Sequence, residues 1–137
     1  MPKRTYVDTC VLIAALRGEP ELAARAFAVL DDPERMLVVS DAVLLEALPK
    51  AYYYKNLEEI AFYEAVFSAA EKLPWDYAVL QKAYELAKTH GVAAMDAIHV
   101  AHAVEARVDE FVGGEKPTKP MYRVGAIPMR SIRAPDP

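Results

Sequence analysis

Apolar and polar positions follow two alternating spacings along the chain. Arg4 to Val7 is a short β-prone run that stops at Asp8, and Thr9 to Leu16 then takes up helical spacing until Gly18 and Pro20 end it. Glu21 to Leu30 predicts an amphipathic, alanine-rich helix closed by Asp31, Asp32 and Pro33. Met36 to Val39 predicts a second buried strand, and Ser40 or Asp41 stands where it can cap the helix that carries Leu44, Leu45, Glu46 and Leu48. Pro49 has no N–H to donate and is expected to bend or interrupt that helix; Tyr52, Tyr53 and Tyr54 follow before Leu57 to Ala70 resumes helical spacing. Glu71 to Pro74 predicts a third strand, Tyr77 to His90 a helix closed by Gly91, and Ala94 to Ala106 a helix leading into a fourth strand around Phe111 and Val112. The last 25 residues hold 5 of the 10 prolines, which predicts irregular chain with one edge strand near Met129 to Ile132. Short strands alternating with helices are the pattern of an α/β protein built on a parallel sheet.

Composition narrows this further. A chain of 137 residues fits one domain spanning residues 1–137, and 54% apolar with 26% charged residues describes a globular interior rather than a disordered tail. One cysteine excludes an internal disulfide and a thiolate zinc site. No apolar run reaches the roughly 18 residues that span a bilayer, and Met1 to Val7 lacks a signal-peptide core, so a soluble cytoplasmic protein without a membrane partner is expected. The net charge of -4 argues against a surface built throughout to hold nucleic acid. That charge is regional, however: residues 1–112 carry 18 acidic and 11 basic side chains, and residues 113–137 carry 2 acidic and 5 basic ones, Lys116, Lys119, Arg123, Arg130 and Arg133.

Most of the carboxylates lie in mixed polar stretches, but three do not. Asp8 sits in TYVDTCVLIAAL, Glu46 in MLVVSDAVLLEALP and Asp96 in THGVAAMDAIHVAHAVEA, and none of these segments contains a lysine or arginine. An unpaired buried carboxylate costs several kcal/mol, so each group must protonate, find a remote base or share a cation. Asp8 directly follows the first strand, Glu46 lies beyond the exit of the second, and Asp96 is near the start of the helix leading into the fourth. Glu115 follows that fourth strand across Gly113 and Gly114. In an open parallel sheet, the loops beyond the carboxyl ends of the strands converge at the topological switch point, where all four could meet. Oxygen-only ligands suit Mg²⁺ or Mn²⁺, and such a site activates water against a phosphodiester, with one ion or with two about 4 Å apart. Taken singly, each residue is better read as a helix cap or the partner of a distant base; only the set together points to a cation.

Other chemistries fit less well. Cys10 could be a low-pKa nucleophile, but the following segment is an apolar helix and Arg17 comes one residue late for a cysteine-phosphatase loop. The paired acidic residues of a receiver domain and the Asp-x-Asp of a dehalogenase-type nucleophile are both missing, Cys10 occupying the second place of the latter. His99 and His102 have a spacing that zinc ligands on a helix can have; the favoured alternative puts His99 hydrogen-bonded beside the acidic cluster and His102 on the flank of the helix. His90, before Gly91, complements a helix C-terminus.

The segments YVDTCVLIAAL, VVSDAVLLEAL, GVAAMDAIHVAHA and DEFVGGEK together resemble the four acidic motifs of PIN domains, in order and over nearly the whole chain. The resemblance implies a three-layer α/β/α fold with about five parallel strands. It also implies a metal-dependent ribonuclease of the VapC toxin type, held inactive by a cognate antitoxin and commonly dimeric. Carried over, it makes Asp8, Glu46 and Asp96 the core Mg²⁺ or Mn²⁺ ligands and Glu115 the fourth acidic residue, with Thr9 and Ser40 as supporting hydroxyls. The family more often has an aspartate preceded by threonine or serine where this chain has Gly113, Gly114 and Glu115. The rival from another class is a PIN scaffold that binds a partner without catalysis.

Overall fold

A computed structural model of the chain describes residues 2–134. Its elements run β1 (Lys3–Val7), α1 (Thr9–Arg17), α2 (Pro20–Leu30), β2 (Arg35–Ser40), α3 (Asp41–Tyr53), α4 (Leu57–Ala69), β3 (Glu71–Leu73), α5 (Tyr77–His90), α6 (Ala94–Glu105), β4 (Glu110–Gly113), a 3-10 turn (Pro120–Arg123) and β5 (Met129–Ser131). All the strand pairs are parallel, in the order β3-β2-β1-β4-β5. Successive crossovers advance from β1 to β3 and then return over the sheet to β4. Because parallel crossovers are right-handed, α1 to α4 cover one face and α5 and α6 the other, giving the expected three-layer α/β/α arrangement.

The strands form where the apolar runs were read because a parallel sheet covered on both faces buries each strand nearly whole. Tyr6, Val7, Val38, Val39, Phe111 and Val112 are all fully buried in the three central strands. The Tyr6 and Phe111 rings stack at 5.4 Å, and the His102 ring stacks with Tyr6 at 6.5 Å. Helix ends follow local chemistry. Asp76 and Asn56 cap α5 and α4 by accepting from Val79 N and Glu59 N, and Gly91 ends α5 with φ 69° in the left-handed region.

Two expectations need correction. Pro49 does not interrupt its helix: α3 continues to Tyr53. The carbonyl deprived of its donor belongs to Leu45, a residue on the exposed side of the helix at 66%. His102 is not on the flank of α6 but in the core, 1% exposed, edge-on to Trp75 and with Nε2 lacking a hydrogen-bond partner among the described residues. Burial accordingly lowers its pKa, favouring the neutral ring.

Candidate active site

The switch point of this sheet lies between β1 and β4, because the chain leaves β1 toward β2 and later returns on the opposite side. Asp8 occupies that position, 2% exposed at the end of β1. Its Oδ1 accepts two backbone hydrogen bonds, from Val11 N at 3.2 Å and from Gly114 N at 3.0 Å. Asp8 is therefore the N-cap of α1 and also the residue that joins the ends of β1 and β4. The paired glycines make this approach possible: a Cβ on Gly114 would stand 2.5 Å from the Cys10 Cβ, and one on Gly113 would stand 3.0 Å from Asp8 Oδ2. Burial pushes the Asp8 carboxyl up to about 6 and Glu115 adds to the rise, while His99 and the two amides oppose it.

Glu46 projects from the middle of α3, its side chain 34% exposed. Its Oε1 accepts from Thr9 Oγ1 at 2.7 Å and from His99 Nε2 at 2.5 Å. The His99 bond holds the Glu46 carboxyl below the usual carboxylate range, against burial, with Thr9 helping. Asp96 lies in the first turn of α6, half-buried. Burial raises its pKa, as do Glu115 and Glu46, with Lys119 and His99 pulling the other way.

Glu115 follows β4. Its Oε1 accepts from Cys10 Sγ at 3.4 Å, and Lys119 Nζ stands 3.7 Å from Oε2. Its backbone carbonyl accepts from Tyr122 OH at 3.2 Å and from Ser131 Oγ, which fixes the loop after the glycines. Arg133 Nε donates to Gly114 O at 2.7 Å, so one guanidinium of the basic tail lies against the same loop. Burial pushes the Cys10 thiol well above its ordinary range, with Asp8 and Glu115 adding to the rise, which disfavours a thiolate nucleophile.

The four carboxylates thus lie toward one sheet edge, where Glu115 raises Asp8 and both Glu115 and Glu46 raise Asp96. Among the described residues, no three His, Cys, Asp or Glu side chains are drawn together as a ready-made metal cage. The donor set is nevertheless all oxygen and centred on a buried aspartate, which fits a hard cation that keeps part of its water and is reached by some carboxylates through that water. Thr9 serves Glu46 directly. Ser40 occupies the N-cap position of α3 without making a cap bond; its hydroxyl meets Tyr6 OH at 2.7 Å instead. His99 stands beside the cluster as expected, and both ring nitrogens are engaged, Nδ1 with Tyr6 OH at 2.8 Å and Nε2 with Glu46. No ring nitrogen of His99 is left for a zinc site with His102.

Tyr6, Tyr122 and Ser131 were not singled out from sequence, and Lys119 stood out only as one of the basic residues of the tail. Only Tyr6 left a usable signal: it lies two residues before Asp8 on a strand, hence on the same face.

Comparisons with known proteins accord with this architecture. No curated protein matches the chain. Among solved structures, a toxin-antitoxin complex from Klebsiella pneumoniae is similar with a TM-score of 0.71 at 18% identity, covering 90% of this chain and 94% of that one. VapBC2 from Rickettsia felis, bound to a DNA fragment from their promoter, gives 0.70 at 14% identity, covering 93% and 98%. DNA-bound VapBC from Salmonella typhimurium gives 0.70 at 17% identity, covering 96% and 99%. At these identities the likeness is one of fold. Residues 5–113, spanning Asp8, Glu46, Asp96 and the turn of β4 into its glycines, match the PIN domain, and the chain belongs to the PIN domain family.

Proposed function

We propose that the chain is a Mg²⁺- or Mn²⁺-dependent endoribonuclease, the toxin of a VapBC-type pair. The observation that carries the reading is Asp8: a carboxylate 2% exposed at the switch point, raised in pKa, bonded by backbone amides and with no lysine or arginine salt bridge among the described residues. A cation relieves such a group; a structural ion pair would already have done so. Membership of the PIN family supports hydrolase chemistry, and the toxin-antitoxin complexes among its structural relatives support an antitoxin as partner.

Asp8, Glu46, Asp96 and Glu115 hold the cation in this reading, with Thr9 and Ser40 supporting. Bound there, Mg²⁺ or Mn²⁺ supplies Lewis-acid activation of a water nucleophile and neutralises charge at the scissile phosphate. Arg133, set against Gly114, and the other basic residues of the tail contact flanking RNA phosphates. A single domain over residues 1–137 working in the cytoplasm is part of the same proposal; no helix among the described residues is long and apolar enough to cross a membrane. Tyr53 and Tyr54, 79% and 69% exposed, with Leu57 at 78%, offer the surface for a second copy or the antitoxin. Tyr53→Ala is then expected to lower the sedimenting mass or weaken antitoxin binding, and no change in either would remove that surface from the proposal.

The deciding experiment is cleavage mapping on RNA with Mn²⁺, with EDTA, and with Mn²⁺ restored. Cleavage that EDTA stops and Mn²⁺ restores is expected; cleavage indifferent to chelation would sink the metal reading. The contact of Glu115 with Lys119 favours the second reading, a non-catalytic PIN scaffold that binds a partner, and that reading predicts neither Mn²⁺ uptake nor cleavage.

A further inference from the structure

Outside the carboxylates, the site contains one continuous chain of hydrogen bonds. Ser40 Oγ meets Tyr6 OH at 2.7 Å, Tyr6 OH meets His99 Nδ1 at 2.8 Å, and His99 Nε2 meets Glu46 Oε1 at 2.5 Å. Thr9 Oγ1 reaches the same Glu46 oxygen at 2.7 Å. Five elements contribute: β1, the end of β2, α1, α3 and α6. Tyr6, Ser40 and His99 are 0%, 2% and 3% exposed, whereas the Glu46 side chain is 34% exposed. A buried chain therefore ends on a partly exposed carboxylate.

The direction of donation follows from the carboxylate end. Ionised Glu46 can only accept, so Thr9 Oγ1 and His99 Nε2 both donate to it. A neutral imidazole with its proton on Nε2 presents only a lone pair at Nδ1, so Tyr6 must donate there and Ser40 must donate to Tyr6. With the ring in that form each group has one role, whereas a proton on Nδ1 would reverse the donation between His99, Tyr6 and Ser40. Both clamps fall on Oε1, so Oε2 is the oxygen of Glu46 outside them.

We propose that His99 is a positioning residue for Glu46: Ser40 and Tyr6 lock its Nε2–H tautomer, and that N–H pins Oε1 so that Oε2 is the oxygen offered to the cation. The proposal rests on the metal-dependent reading above. A glutamate on a helix face has several rotamers, and a cation that had to select one would bind more weakly than one meeting a carboxylate already held. Hydrogen-bond partners of ligating carboxylates act in this way, by orientation rather than by contact with the metal.

Two measurements on the full chain test it. Long-range ¹H–¹⁵N spectra report which ring nitrogen of His99 bears the proton; a bare Nδ1 and a protonated Nε2 are expected, and a proton on Nδ1 overturns the proposal. Mn²⁺ alone is titrated calorimetrically into wild type, His99→Ala, His99→Gln, Tyr6→Phe and Asp8→Asn. The expected result is affinity about tenfold weaker in His99→Ala, largely restored in His99→Gln through its amide donor, more mildly weakened in Tyr6→Phe, and lost in Asp8→Asn. Wild-type affinity in His99→Ala, with binding still lost in Asp8→Asn, overturns the positioning role and leaves the metal reading intact. No Mn²⁺ uptake by the wild type overturns the metal reading and the proposal with it. Should His99→Ala fail to fold, Tyr6→Phe, which removes one oxygen, decides: unchanged Mn²⁺ affinity and an unchanged His99 tautomer overturn the proposal.

Discussion

The two ends of the sheet treat buried carboxylates in opposite ways. At the amino ends of the strands, Glu110 is 8% exposed and surrounded by donors: Arg35 Nε at 2.7 Å, Thr5 Oγ1 at 3.0 Å and Lys3 Nζ at 3.5 Å. Beside it, Arg4 grips Glu71 through two nitrogens, at 2.9 and 2.7 Å, and donates its backbone N–H to Asp109 at 2.8 Å. At the carboxyl ends, Asp8 is held by amides, and Glu46 by a hydroxyl and an imidazole. Burial alone would raise Glu110, but Arg35, Thr5 and Lys3 outweigh it and its pKa falls; burial raises Asp8 and nothing outweighs it. Burial is common to both ends. What separates a structural carboxylate from one prepared for chemistry is whether an arginine has already neutralised it.

The largest expected effect that would break this comparison is on activity. Asp8→Asn and Asp96→Asn should each lower RNA cleavage by about 100-fold or more, as loss of several kcal/mol of transition-state stabilisation implies. Glu110→Gln should leave the rate per folded molecule unchanged. Cleavage that survived Asp8→Asn while falling with Glu110→Gln would invert the assignment of the two ends.

Stability should move in the reverse sense. In EDTA at pH 7, Asp8→Asn keeps an oxygen for both amides and removes an unfavourable charge, so the fold should gain about 2 to 3 kcal/mol by urea unfolding. Glu110→Gln removes the charge that Arg35 Nε and Lys3 meet and leaves Arg35, whose side chain is 14% exposed, with Asp32 as its carboxylate partner, so it should cost about 1 kcal/mol or more. Loss of stability in both variants would mean that Asp8 is an ordinary structural cap.

The pH dependence separates the two ends within one protein. Glu110, depressed in the fold, contributes stability that is complete above the unfolded value of 4.5 and is lost as pH falls through its lower folded value. Asp8, raised to about 6, has the opposite sign: stability is lost as pH rises from 3.8 to about 6, and the full penalty stands above that. The gain from Asp8→Asn should therefore vanish near pH 4 and be complete above pH 6. A gain independent of pH would show that the charge was not its cause.

The smallest effect expected is at Lys119, the lysine that reaches Glu115 at the acidic end. Its side chain is 44% exposed, so Lys119→Ala should alter stability by less than about 0.5 kcal/mol while strengthening Mn²⁺ binding, since Glu115 is released. Weaker Mn²⁺ binding would indicate that Lys119 orders the loop rather than competing for it.

The strands and helices were legible in the chain within a residue or two because each coincides with an apolar run or helical spacing bounded by a cap, a glycine or a proline. Pro49 was misleading because propensity does not record which side of the helix the affected residue occupies. The absence of a local base picked out Asp8, Glu46 and Asp96, and the structure brings them with Glu115 to one edge. The same test passed over Glu110 and Glu59, buried at 8% and 7%, because Arg107 and Lys55 stand close by in sequence, although the arginines that meet them are 75 and 42 residues away. Tyr6 lies in the first β-prone run and is buried, but its hydroxyl has a second task that only the meeting of β1, β2 and α6 reveals. His102 was misplaced because helical spacing fixes an angle around α6 and not the packing of α5 against it.

The bond from Gly114 to Asp8 links the residue directly after the first strand to the last third of the chain, and this has a consequence for biosynthesis. The central strand is translated first, but one of its two neighbours, β4, emerges among the last elements. A nascent chain halted before residue 110 lacks β4, the second amide on Asp8 and Glu115 together. If the chain is an RNA-cutting toxin, an unfinished copy on the ribosome is harmless to the messages around it, and the danger begins only when synthesis is nearly over.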